Sequence, residues 1–402
     1  MSPGSTARVV VVGASAAGVS TAEALRRHGH RGPITVIGDE PHEPYDRPPL
    51  SKQVLSGDMA RSTVLLREPG HLESLDVDVR HGQRAAGLDA RHRHVVLANG
   101  GMVPYDRLVV ATGVAARRLP TSSAMRLRHT VRSWDDAVAL RDALGAARRL
   151  VIVGGGVLGT EIAATVSEMG VDVVLASPDG LPMRPVLGST LAGQLRDLHA
   201  RQGVQLRTGV AGRVVRLEEH PRGGVTVSFE DGIHVRADLV VEAVGSAPAV
   251  AWLRGSGIPV GDGVLCDSGL SAGPDVFAAG DVAHWFNPAV DSSGRVEHRT
   301  NASEQGEHVA RRIVTGEPAP FSSVPYFWTQ QLGLKLQAHG DLRRRDQTLV
   351  VEGALTEGRC VAIFRRGDAL SGVVTVGAAK ATRVWRQRIQ DRMLWSAALE
   401  LA

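Results

Sequence analysis

Hydrophobic and polar positions along the chain predict two copies of one strand–helix–strand unit. In the first copy, the apolar run from Arg8 to Val12 predicts a buried strand, and Val19 to His28 predicts a helix after a glycine-rich turn. Ile34 to Ile37 then predicts the next strand. Two buried strands joined through a helix are typical of a parallel sheet, because parallel pairing needs a crossover connection.

The second copy repeats this order further along the chain. Leu150 to Val153 predicts a buried strand, about Thr160 to Met169 predicts a helix, and Val171 to Leu175 predicts the next strand. The recurrence of a whole unit indicates an internal repeat at the scale of a domain.

Two further strands, Tyr105 to Val110 and Leu239 to Val244, are predicted to close the sheets of the two units. A later strand, Val276 to Ala279, returns the chain to the first domain. From about Phe321 the pattern changes to short strand-like pieces with a helical tail, which predicts a separate, mostly antiparallel domain. The pieces are Leu334 to Ala338, Thr348 to Glu352, Cys360 to Arg365 and Ala369 to Val376.

Composition sets limits on the class of protein. The 402 residues are too many for one compact core, and 43% hydrophobic with 22% charged residues is ordinary for a globular protein. The net charge of +4 favours an acidic partner, but no basic block is longer than Arg343–Arg345, so no nucleic-acid tail is expected. Met1–Ser5 does not fit a signal peptide and no long apolar run occurs, so we expect a cytoplasmic protein without a membrane segment.

The two cysteines, Cys266 and Cys360, are far apart and form no CxxC motif. This pattern excludes a disulfide framework and a CxxC redox centre. No metal site is expected.

The first glycine-rich turn has the form G-x-S-x-x-G, with Gly13, Ser15 and Gly18 at the key positions and Ala16 and Ala17 between them. A dinucleotide fingerprint needs a tight turn, a tiny residue beside the pyrophosphate and a glycine for close helix packing. Past the next strand stand Asp39 and Glu40, where a carboxylate can accept hydrogen bonds from a ribose.

The second turn is a complete match, Gly154-x-Gly156-x-x-Gly159, with Val157 and Leu158 before the last glycine. The end of its second strand, however, holds Leu175-Ala176-Ser177 instead of an acidic residue. The usual acceptor for the ribose 2′-hydroxyl is therefore missing, and the choice between NADH and NADPH stays open. Arg184 is either a phosphate ligand or an ordinary surface arginine.

Two fingerprints in one chain predict two dinucleotides. A dehydrogenase with a single cofactor needs only one such turn, whereas hydride transfer between a nicotinamide and a flavin needs both rings in contact. The pair therefore predicts FAD as a cofactor with NADH or NADPH as co-substrate.

The chain also resembles the oxygenase-coupled NAD(P)H:ferredoxin reductases, within the FAD-dependent pyridine nucleotide oxidoreductase superfamily. The resemblance covers about residues 8 to 376, and Arg47-Pro48-Pro49-Leu50-Ser51-Lys52 is its most specific part. The motifs that occur in the same order are Gly13 to Gly18, Pro44 to Lys52, Ala111-Thr112-Gly113, Gly154 to Glu161, Ala279-Gly280-Asp281, Thr300 to Gly306 and Pro325 to Trp328.

The resemblance implies an α/β fold with two Rossmann-like dinucleotide-binding domains, of the glutathione-reductase-like kind, and a C-terminal mostly antiparallel α+β domain. The implied FAD-binding domain is discontinuous, over residues 1–114 and 245–320. The NAD(P)-binding domain would span 115–244 and the C-terminal domain 321–402.

Roles for single residues follow from the same resemblance. Lys52 and Glu161 are the implied catalytic pair, with Lys52 near the reactive edge of the flavin and Glu161 where the nicotinamide enters. Arg47 would lie along the flavin, and Asp39 or Glu40 would hold the FAD ribose. The remaining implied cofactor-binding residues are Ala85 and Arg132 at the adenosine half of FAD, Asp281 at the ribityl chain, Trp328 beside the flavin, and Ala111, Thr112, Gly113, Gly245, Gly280 and Arg299.

The implied activity is hydride transfer from NAD(P)H to FAD, followed by single-electron transfer to an acidic [2Fe–2S] ferredoxin that supplies a haem monooxygenase or a ring-hydroxylating dioxygenase. No nucleic acid or membrane partner is expected, and the protein would be a monomer or a homodimer. Arg299 and Gln330 depart from the family pattern and keep one alternative open, an NAD(P)H oxidase or diaphorase that uses oxygen or a quinone. A second alternative is a flavin redox-sensing binding protein, because the family that the chain resembles includes members of this kind.

Overall fold

The computed structural model describes residues 6–120 and 125–401. The start at Met1–Ser5, from which the lack of a signal peptide is predicted, lies outside the described residues. The same holds for residues 121–124 and 402, which the predicted domain bounds include.

Strands occur in every part of the described chain. The strands of the N-terminal part are β1 (Val9–Val12), β2 (Ile34–Ile37), β3 (Val77–Arg80), β4 (Ala85–Asp89), β5 (His94–Leu97), β6 (Met102–Pro104), β7 (Arg107–Val110) and β8 (Val114–Ala116). Those of the middle part are β9 (Arg128–His129), β10 (Arg149–Val153), β11 (Asp172–Ser177), β12 (Gln205–Thr208), β13 (Val214–Glu219), β14 (Val225–Phe229), β15 (His234–Ala237), β16 (Leu239–Glu242) and β17 (Ser246–Pro248). The C-terminal part has β18 (Val260–Gly261), β19 (Gly263–Leu265), β20 (Ser271–Gly273), β21 (Val276–Ala278), β22 (Ala283–Asn287), β23 (Ser292–Gly294), β24 (Tyr326–Gln331), β25 (Leu334–Gly340), β26 (Gln347–Ala354), β27 (Arg359–Arg366) and β28 (Ala369–Val376).

Helices connect these strands. They are α1 (Ala16–Arg27), α2 (Gln53–Ser56), α3 (His71–Ser74), α4 (Trp134–Leu144), α5 (Val157–Glu168), α6 (Arg184–Arg201), α7 (Arg299–Thr315), α8 (Ala379–Gln390) and α9 (Trp395–Leu399). Within residues 6–120 and 125–401, none of them has the length and apolar composition needed to cross a bilayer.

The chain divides into two compact units. Unit 1 comprises Met1–Asp46, Arg61–Ala115 and Ala247–Pro325, and unit 2 comprises Arg47–Ala60, Ala116–Ser246 and Tyr326–Ala402. The short segment Arg47–Ala60 therefore packs with unit 2, although its neighbours on both sides belong to unit 1. The bounds of the three predicted domains stay a prediction.

The core of unit 1 is a six-stranded sheet in the order β20-β21-β7-β1-β2-β3. All four residues of β1 are buried, because the strand is parallel to both β2 and β7 and has neighbours on either side. The expectation that Tyr105 to Val110 closes this sheet is wrong, since β21 pairs with the far side of β7.

Helix α7 lies directly against α1 in unit 1. A Cβ at Gly306 of α7 would stand 2.6 Å from the carbonyl oxygen of Ala17 in α1. Only glycine therefore allows this approach, which brings α7 to the start of α1.

Unit 2 contains a parallel-sheet core and an antiparallel sheet. The first sheet has the order β12-β11-β10-β16-β9, so the predicted closing strand Leu239 to Val244 is again internal, between β10 and β9. The second has the order β24-β25-β28-β27-β26 and is antiparallel throughout, as expected for the C-terminal region. Leu187, Leu191 and Leu195 of α6 pack on this sheet in one apolar cluster.

Candidate functional site

The first glycine loop, in unit 1, accepts only small residues at its two ends. Gly13 has a φ of +122°, and a Cβ there would lie 2.1 Å from the carbonyl oxygen of Ala111. A Cβ at Gly18 would lie 1.9 Å from the carbonyl oxygen of Gly13. The loop can therefore pass from β1 into α1 this closely only with glycine at both positions.

The start of α1 fits an anionic group. Ser15 is the N-cap residue but its side chain makes no capping hydrogen bond, and the first helical bond runs from Val19 N–H to the Ser15 carbonyl at 2.9 Å. The N–H groups of residues 16–18 therefore have no carbonyl partner within the helix, and the helix dipole adds positive potential there.

A buried amide at the same place is incompletely paired. The Gln305 side chain in α7 is fully buried, and its Oε1 accepts a hydrogen bond from Gly280 N–H at 2.7 Å. Its Nε2 has no partner among the described residues. Gly280 itself lies against Ala17, because a Cβ on it would stand 3.0 Å from the Ala17 Cβ. An unpaired donor beside a helix N-terminus fits the pyrophosphate of a dinucleotide such as FAD.

The two acidic residues after β2 have different surroundings. Glu40 is half-buried and accepts a hydrogen bond from the Tyr45 hydroxyl. Asp39 is exposed and makes no hydrogen bond or ion pair to any described residue. Asp39 is therefore the more open acceptor for a ribose hydroxyl.

Other residues proposed from the sequence for FAD also lie in unit 1. Ala85 is half-buried on β4, and Asp281 is half-buried directly after Gly280. Thr112 donates through its hydroxyl to the Ala249 carbonyl at 2.8 Å, and Gly113 turns the chain with a φ of +65°. The structure thus places these residues in one unit, and their roles stay predictions.

Arg299, which departs from the family pattern, is held by a local ion pair. Its Nε lies 3.1 Å from an Asp46 carboxylate oxygen, and one of its terminal nitrogens donates to Ser303 Oγ at 3.0 Å. Burial, together with the charge of Arg299, lowers the pKa of the neighbouring His298 to about 4. The guanidinium thus has partners of its own in unit 1.

The second glycine loop, in unit 2, repeats the local design of the first. Gly154 has a φ of +118°, and a Cβ there would lie 2.2 Å from the Ala243 carbonyl oxygen. A Cβ at Gly159 would lie 1.9 Å from the Gly154 carbonyl oxygen. At Gly156, the N-cap residue of α5, a Cβ would have no atom within 4 Å, so the space at the start of this helix is open for a phosphate.

The implied catalytic pair, Lys52 and Glu161, is a buried ion pair inside unit 2. Lys52 Nζ lies 2.8 Å from Glu161 Oε2, and the two side chains are only 8% and 7% exposed. The Ser51 hydroxyl donates to the same oxygen at 2.6 Å. Glu161 sits on the first turns of α5, directly after the glycine loop, so the loop and the ion pair are positioned by one helix.

Hydrogen bonds extend this ion pair through residues that sequence reasoning did not single out. The Thr329 hydroxyl donates to Glu161 Oε1 at 2.7 Å, and Gln331 Nε2 donates to Thr329 Oγ1 at 3.1 Å. Gln331 Oε1 is paired with His199 Nε2 at 2.9 Å. Burial lowers the pKa of His199 and outweighs the bond to Gln331, which raises it. A neutral His199 is the donor in this pair, because the amide oxygen can only accept.

One signal in the sequence points to this network, because His199 continues the four-residue spacing of Leu191 and Leu195 on α6, where an apolar residue is expected. The structure adds Thr329 and Gln331, which alternate on β24 and are both buried, so they share a face of the strand. Gln330, between them, is exposed and takes no part.

The aromatic residue implied to lie beside the flavin is close to two cations. Lys52 Nζ lies 5.4 Å and Lys335 Nζ 5.6 Å from the centre of the Trp328 ring. Arg47, in the same unit, donates to the Arg132 carbonyl at 2.5 Å. Arg47 thus contacts Arg132, Lys52 contacts Trp328 and Glu161, and all five residues belong to unit 2.

Gly245, the remaining glycine of the implied cofactor site, turns the chain after β16 with a φ of +97°. Its carbonyl accepts a hydrogen bond from Arg117 N–H at 2.9 Å.

Neither cysteine has the environment of a redox thiol. Cys266 is half-buried in unit 1 and Cys360 is buried in unit 2. Burial, with smaller contributions from acidic neighbours, raises the pKa of Cys266 to about 12 and that of Cys360 to about 11. Both thiols therefore stay protonated and unreactive at neutral pH.

Comparison with known proteins gives two family models and full-length relatives. The model described as pyridine nucleotide-disulphide oxidoreductase matches residues 7–306, and that of the reductase C-terminal domain matches residues 326–399. Rhodocoxin reductase of Rhodococcus erythropolis is 33% identical over 96% of this chain and 90% of its own length. The ferredoxin–NAD(+) reductase component of the biphenyl dioxygenase system of Paraburkholderia xenovorans is 36% identical over 93% of this chain and 90% of its own length.

Solved structures agree with these relatives. A chain in the crystal structure of the covalent putidaredoxin reductase–putidaredoxin complex matches with a TM-score of 0.90 and 30% identity, over 96% of this chain and 93% of that one. The predicted α/β fold and the predicted family are thereby confirmed. The chain belongs to the pyridine nucleotide-disulphide oxidoreductase family and, within it, to the ferredoxin reductases of oxygenase systems.

Proposed function

We propose that this chain is an NAD(P)H-dependent ferredoxin reductase that supplies single electrons to a [2Fe–2S] ferredoxin, which in turn serves a haem monooxygenase or a ring-hydroxylating dioxygenase. The observation that carries the proposal is the match to reductases of oxygenase systems over almost the whole chain, 93% in the case of the biphenyl dioxygenase component. The matching crystal structure contains putidaredoxin reductase in a covalent complex with putidaredoxin.

The chain uses FAD and NAD(P)H, and its residues fit both. Bound FAD supplies the ability to accept a hydride from NAD(P)H and to release its electrons one at a time. The loop from Gly13 to Gly18 would hold the FAD pyrophosphate, and the loop from Gly154 to Gly159 would hold that of the nicotinamide dinucleotide.

Lys52 and Glu161 would provide fixed charges at the reacting end of the nucleotides. Because Ser51 and Thr329 each donate to one oxygen of Glu161, the carboxylate is held in one orientation. The carboxylate in turn holds the Lys52 ammonium, which would stabilise negative charge on the reduced flavin. Neither charge has to be reorganised during the reaction, since both are already buried and paired.

Direct export of electrons is supported by the state of the cysteines. A disulfide reductase passes electrons from flavin to a nearby dithiol, whereas Cys266 and Cys360 are protonated single thiols in different units. An electron acceptor that docks on the protein and takes one electron at a time fits this chain better than electron transfer through a dithiol. Free thiols also fit a cytoplasmic location, which we include in the proposal.

An acidic ferredoxin would be attracted by the basic surface of the C-terminal helices. On α8, Thr382, Trp385 and Ile389 are buried, while Arg383 and Arg386 are exposed and unpaired among the described residues. Such a face steers a partner of opposite charge without contributing to the chemistry.

Reduction of purified [2Fe–2S] ferredoxins by the FAD-loaded protein tests the proposal. We expect NADH- or NADPH-dependent reduction of at least one ferredoxin, faster at low than at high ionic strength. Rapid turnover with oxygen or a quinone, combined with no reduction of any ferredoxin, would instead indicate an oxidase or diaphorase. The structure adds nothing in favour of that alternative or of a redox-sensing protein, because Arg299 is paired within unit 1 and Gln330 is exposed.

A further inference from the structure

The strand that follows the second glycine loop ends beside that loop in a serine. Ser177 is 2% exposed, and its Cβ and Oγ lie 2.6 and 2.7 Å from the position that a Cβ on Gly155 would take. In dinucleotide-binding folds the residue at this position contacts the adenosine ribose, and an acidic residue there selects the free 2′-hydroxyl. A hydroxyl at this position leaves no fixed negative charge against a 2′-phosphate.

The segment after Ser177 is fastened to the same glycine loop. Met183 N–H donates to the Gly155 carbonyl at 2.7 Å, and Gln331 Nε2 contacts the Met183 sulfur at 3.7 Å. Met183 is 1% exposed and immediately precedes α6. The next residue, Arg184, is therefore held at the edge of the dinucleotide loop by the backbone.

Arg184 places a guanidinium that is unpaired among the described residues at the edge of the dinucleotide loop. Its side chain is exposed and makes no hydrogen bond or ion pair to any described residue. One of its terminal nitrogens lies 3.6 Å from the position of a Cβ on Gly180, so the guanidinium extends back over the segment that follows Ser177.

A second guanidinium adds positive charge without an acidic counterpart. Arg345 donates to the carbonyls of Arg184 at 2.7 Å and of Pro185 at 2.9 Å, and also to that of Leu342. Burial and the neighbouring Arg184 lower the pKa of Arg345, but a guanidinium remains charged at neutral pH. Neither guanidinium makes an ion pair with a carboxylate of the described residues, so both arginines bring a positive charge to the segment that follows Ser177.

We propose that Ser177 and Arg184 select a 2′-phosphorylated dinucleotide, so that NADPH is the preferred electron donor of this chain. The inference rests on the proposed function and deepens it by naming the substrate. Arg184 would pair with the 2′-phosphate, and Ser177 would donate a hydrogen bond to it. Four relatives, those of the biphenyl, benzene, p-cumate and 3-phenylpropionate dioxygenase systems, are named for NAD(+), and one from a Sphingomonas species is named for NAD(P)(+), so the assignment concerns residues of this chain.

The competing assignment is carried by Asp179. This residue is exposed, lies in the same segment, and its N–H is 3.4 Å from Ser177 Oγ. If its carboxylate accepted from the ribose hydroxyls, the site would select NADH. Because the Asp179 carboxylate makes no hydrogen bond or ion pair to a described residue, binding measurements are needed to separate the two assignments.

Calorimetric titration of the FAD-loaded protein with 2′,5′-ADP and with 5′-AMP provides the test, since these probes carry the adenosine end alone. We expect 2′,5′-ADP to bind about tenfold to a hundredfold more tightly, the range for one or two hydrogen bonds to a charged group. Arg184→Ala should remove most of this difference. Arg201→Ala, an exposed arginine at the C-terminal end of α6 beyond the kink at Gly188, is the control and should leave it unchanged.

Equal binding of the two probes, or tighter binding of 5′-AMP that is lost in Asp179→Asn, would overturn the proposal. Anaerobic flavin reduction by NADPH and NADH gives the second measurement, and NADPH should have the higher kcat/KM in the wild type but not in Arg184→Ala. Retained FAD and an unchanged midpoint of thermal unfolding would show that the variant is folded. A protein that discriminates between the probes but reduces no ferredoxin would contradict the proposed function and leave this inference intact.

Discussion

The two glycine loops of this protein have nearly the same backbone but different surroundings. Gly13 and Gly154 have φ angles of +122° and +118°, and in both loops the last glycine meets a carbonyl at 1.9 Å from its would-be Cβ. The residues after the second strand differ, because β2 leads to Asp39 and Glu40 whereas β11 ends in Ser177. Backbone geometry thus provides a general phosphate site, and the side chains around it decide which dinucleotide is held and what it does.

The largest effect should come from adding a methyl group to either loop. Gly13→Ala should abolish FAD retention, and Gly154→Ala should keep FAD but weaken nicotinamide nucleotide binding by roughly a hundredfold, about 3 kcal/mol. The reason is a clash with a carbonyl in addition to strain of about 1–3 kcal/mol at a positive φ. The FAD content after gel filtration measures FAD retention, and calorimetry measures the binding of the nicotinamide nucleotide.

Gly29→Ala and Gly170→Ala are the matched controls for these substitutions. Both glycines follow the helix of their loop with φ of +87° and +82°, and a Cβ on either would have open space. They should lose some stability but keep both nucleotides. Loss of FAD from Gly154→Ala would contradict the assignment of FAD to the first loop and of the nicotinamide nucleotide to the second.

Breaking the ion pair of unit 2 should have the next largest effect. Lys52→Met leaves Glu161 buried without its cation, which we expect to lower the free energy of unfolding by about 3–5 kcal/mol and to slow flavin reduction. Denaturant unfolding and anaerobic stopped-flow measurements check the two effects. The double variant Lys52→Met/Glu161→Leu should recover stability but not the rate.

The ion pair of unit 1 provides the contrast. Arg299 and Asp46 are each 37% exposed, so Asp46→Asn should cost at most about 1 kcal/mol. A large stability loss in Asp46→Asn with a small one in Lys52→Met would contradict the conclusion that the buried ion pair contributes more to stability than the exposed one.

A smaller effect should distinguish the two acidic residues after β2. Asp39→Asn should weaken FAD binding about tenfold through loss of one hydrogen bond to a charged group, because Asp39 has no competing partner. Glu40→Gln should weaken it less, since one Glu40 oxygen is already bonded to Tyr45. The FAD dissociation constant from fluorescence titration decides between them, and the reverse order would assign the ribose to Glu40.

The smallest effect concerns pH and the buried histidine of unit 2. The pKa of His199 is lowered from 6.5 mainly by burial, so the unfolded chain binds a proton more readily than the folded one. The stability from a neutral His199 is complete above pH 6.5 and is lost as the pH falls through its folded pKa. Urea unfolding between neutral and mildly acidic pH should show a steeper loss for the wild type than for His199→Asn. Identical slopes would mean that His199 has the same pKa in the folded and the unfolded chain, and would contradict the lowering by burial.

The sequence predicted those parts of the fold that depend on local hydrophobic pattern. Ile34 to Ile37 and Ala369 to Val376 coincide with β2 and β28, because apolar strands are bounded by clear turn residues. Both loop helices begin three residues earlier than predicted, at Ala16 and Val157, since the glycine loop itself forms the helix start.

Long-range partners could not be predicted in the same way. Tyr105 to Val110 was expected at a sheet edge, but β20 and β21, far along the chain, extend the sheet beyond it. Lys52 and Glu161 were proposed through a family resemblance, whereas Thr329, Gln331 and His199 join them only through hydrogen bonds that link α5 to β24 and β24 to α6. Residues that act through tertiary hydrogen bonds leave little trace in local sequence pattern.

The central claim is that one flavin receives electrons from a nicotinamide nucleotide in this chain and passes them on without a thiol relay. Anaerobic titration of the FAD-loaded protein with NADPH or NADH tests it most directly. We predict that a single equivalent bleaches the flavin fully, and that Cys266→Ser and Cys360→Ser leave the titration unchanged. Uptake of a second equivalent that either cysteine substitution removes would contradict the account.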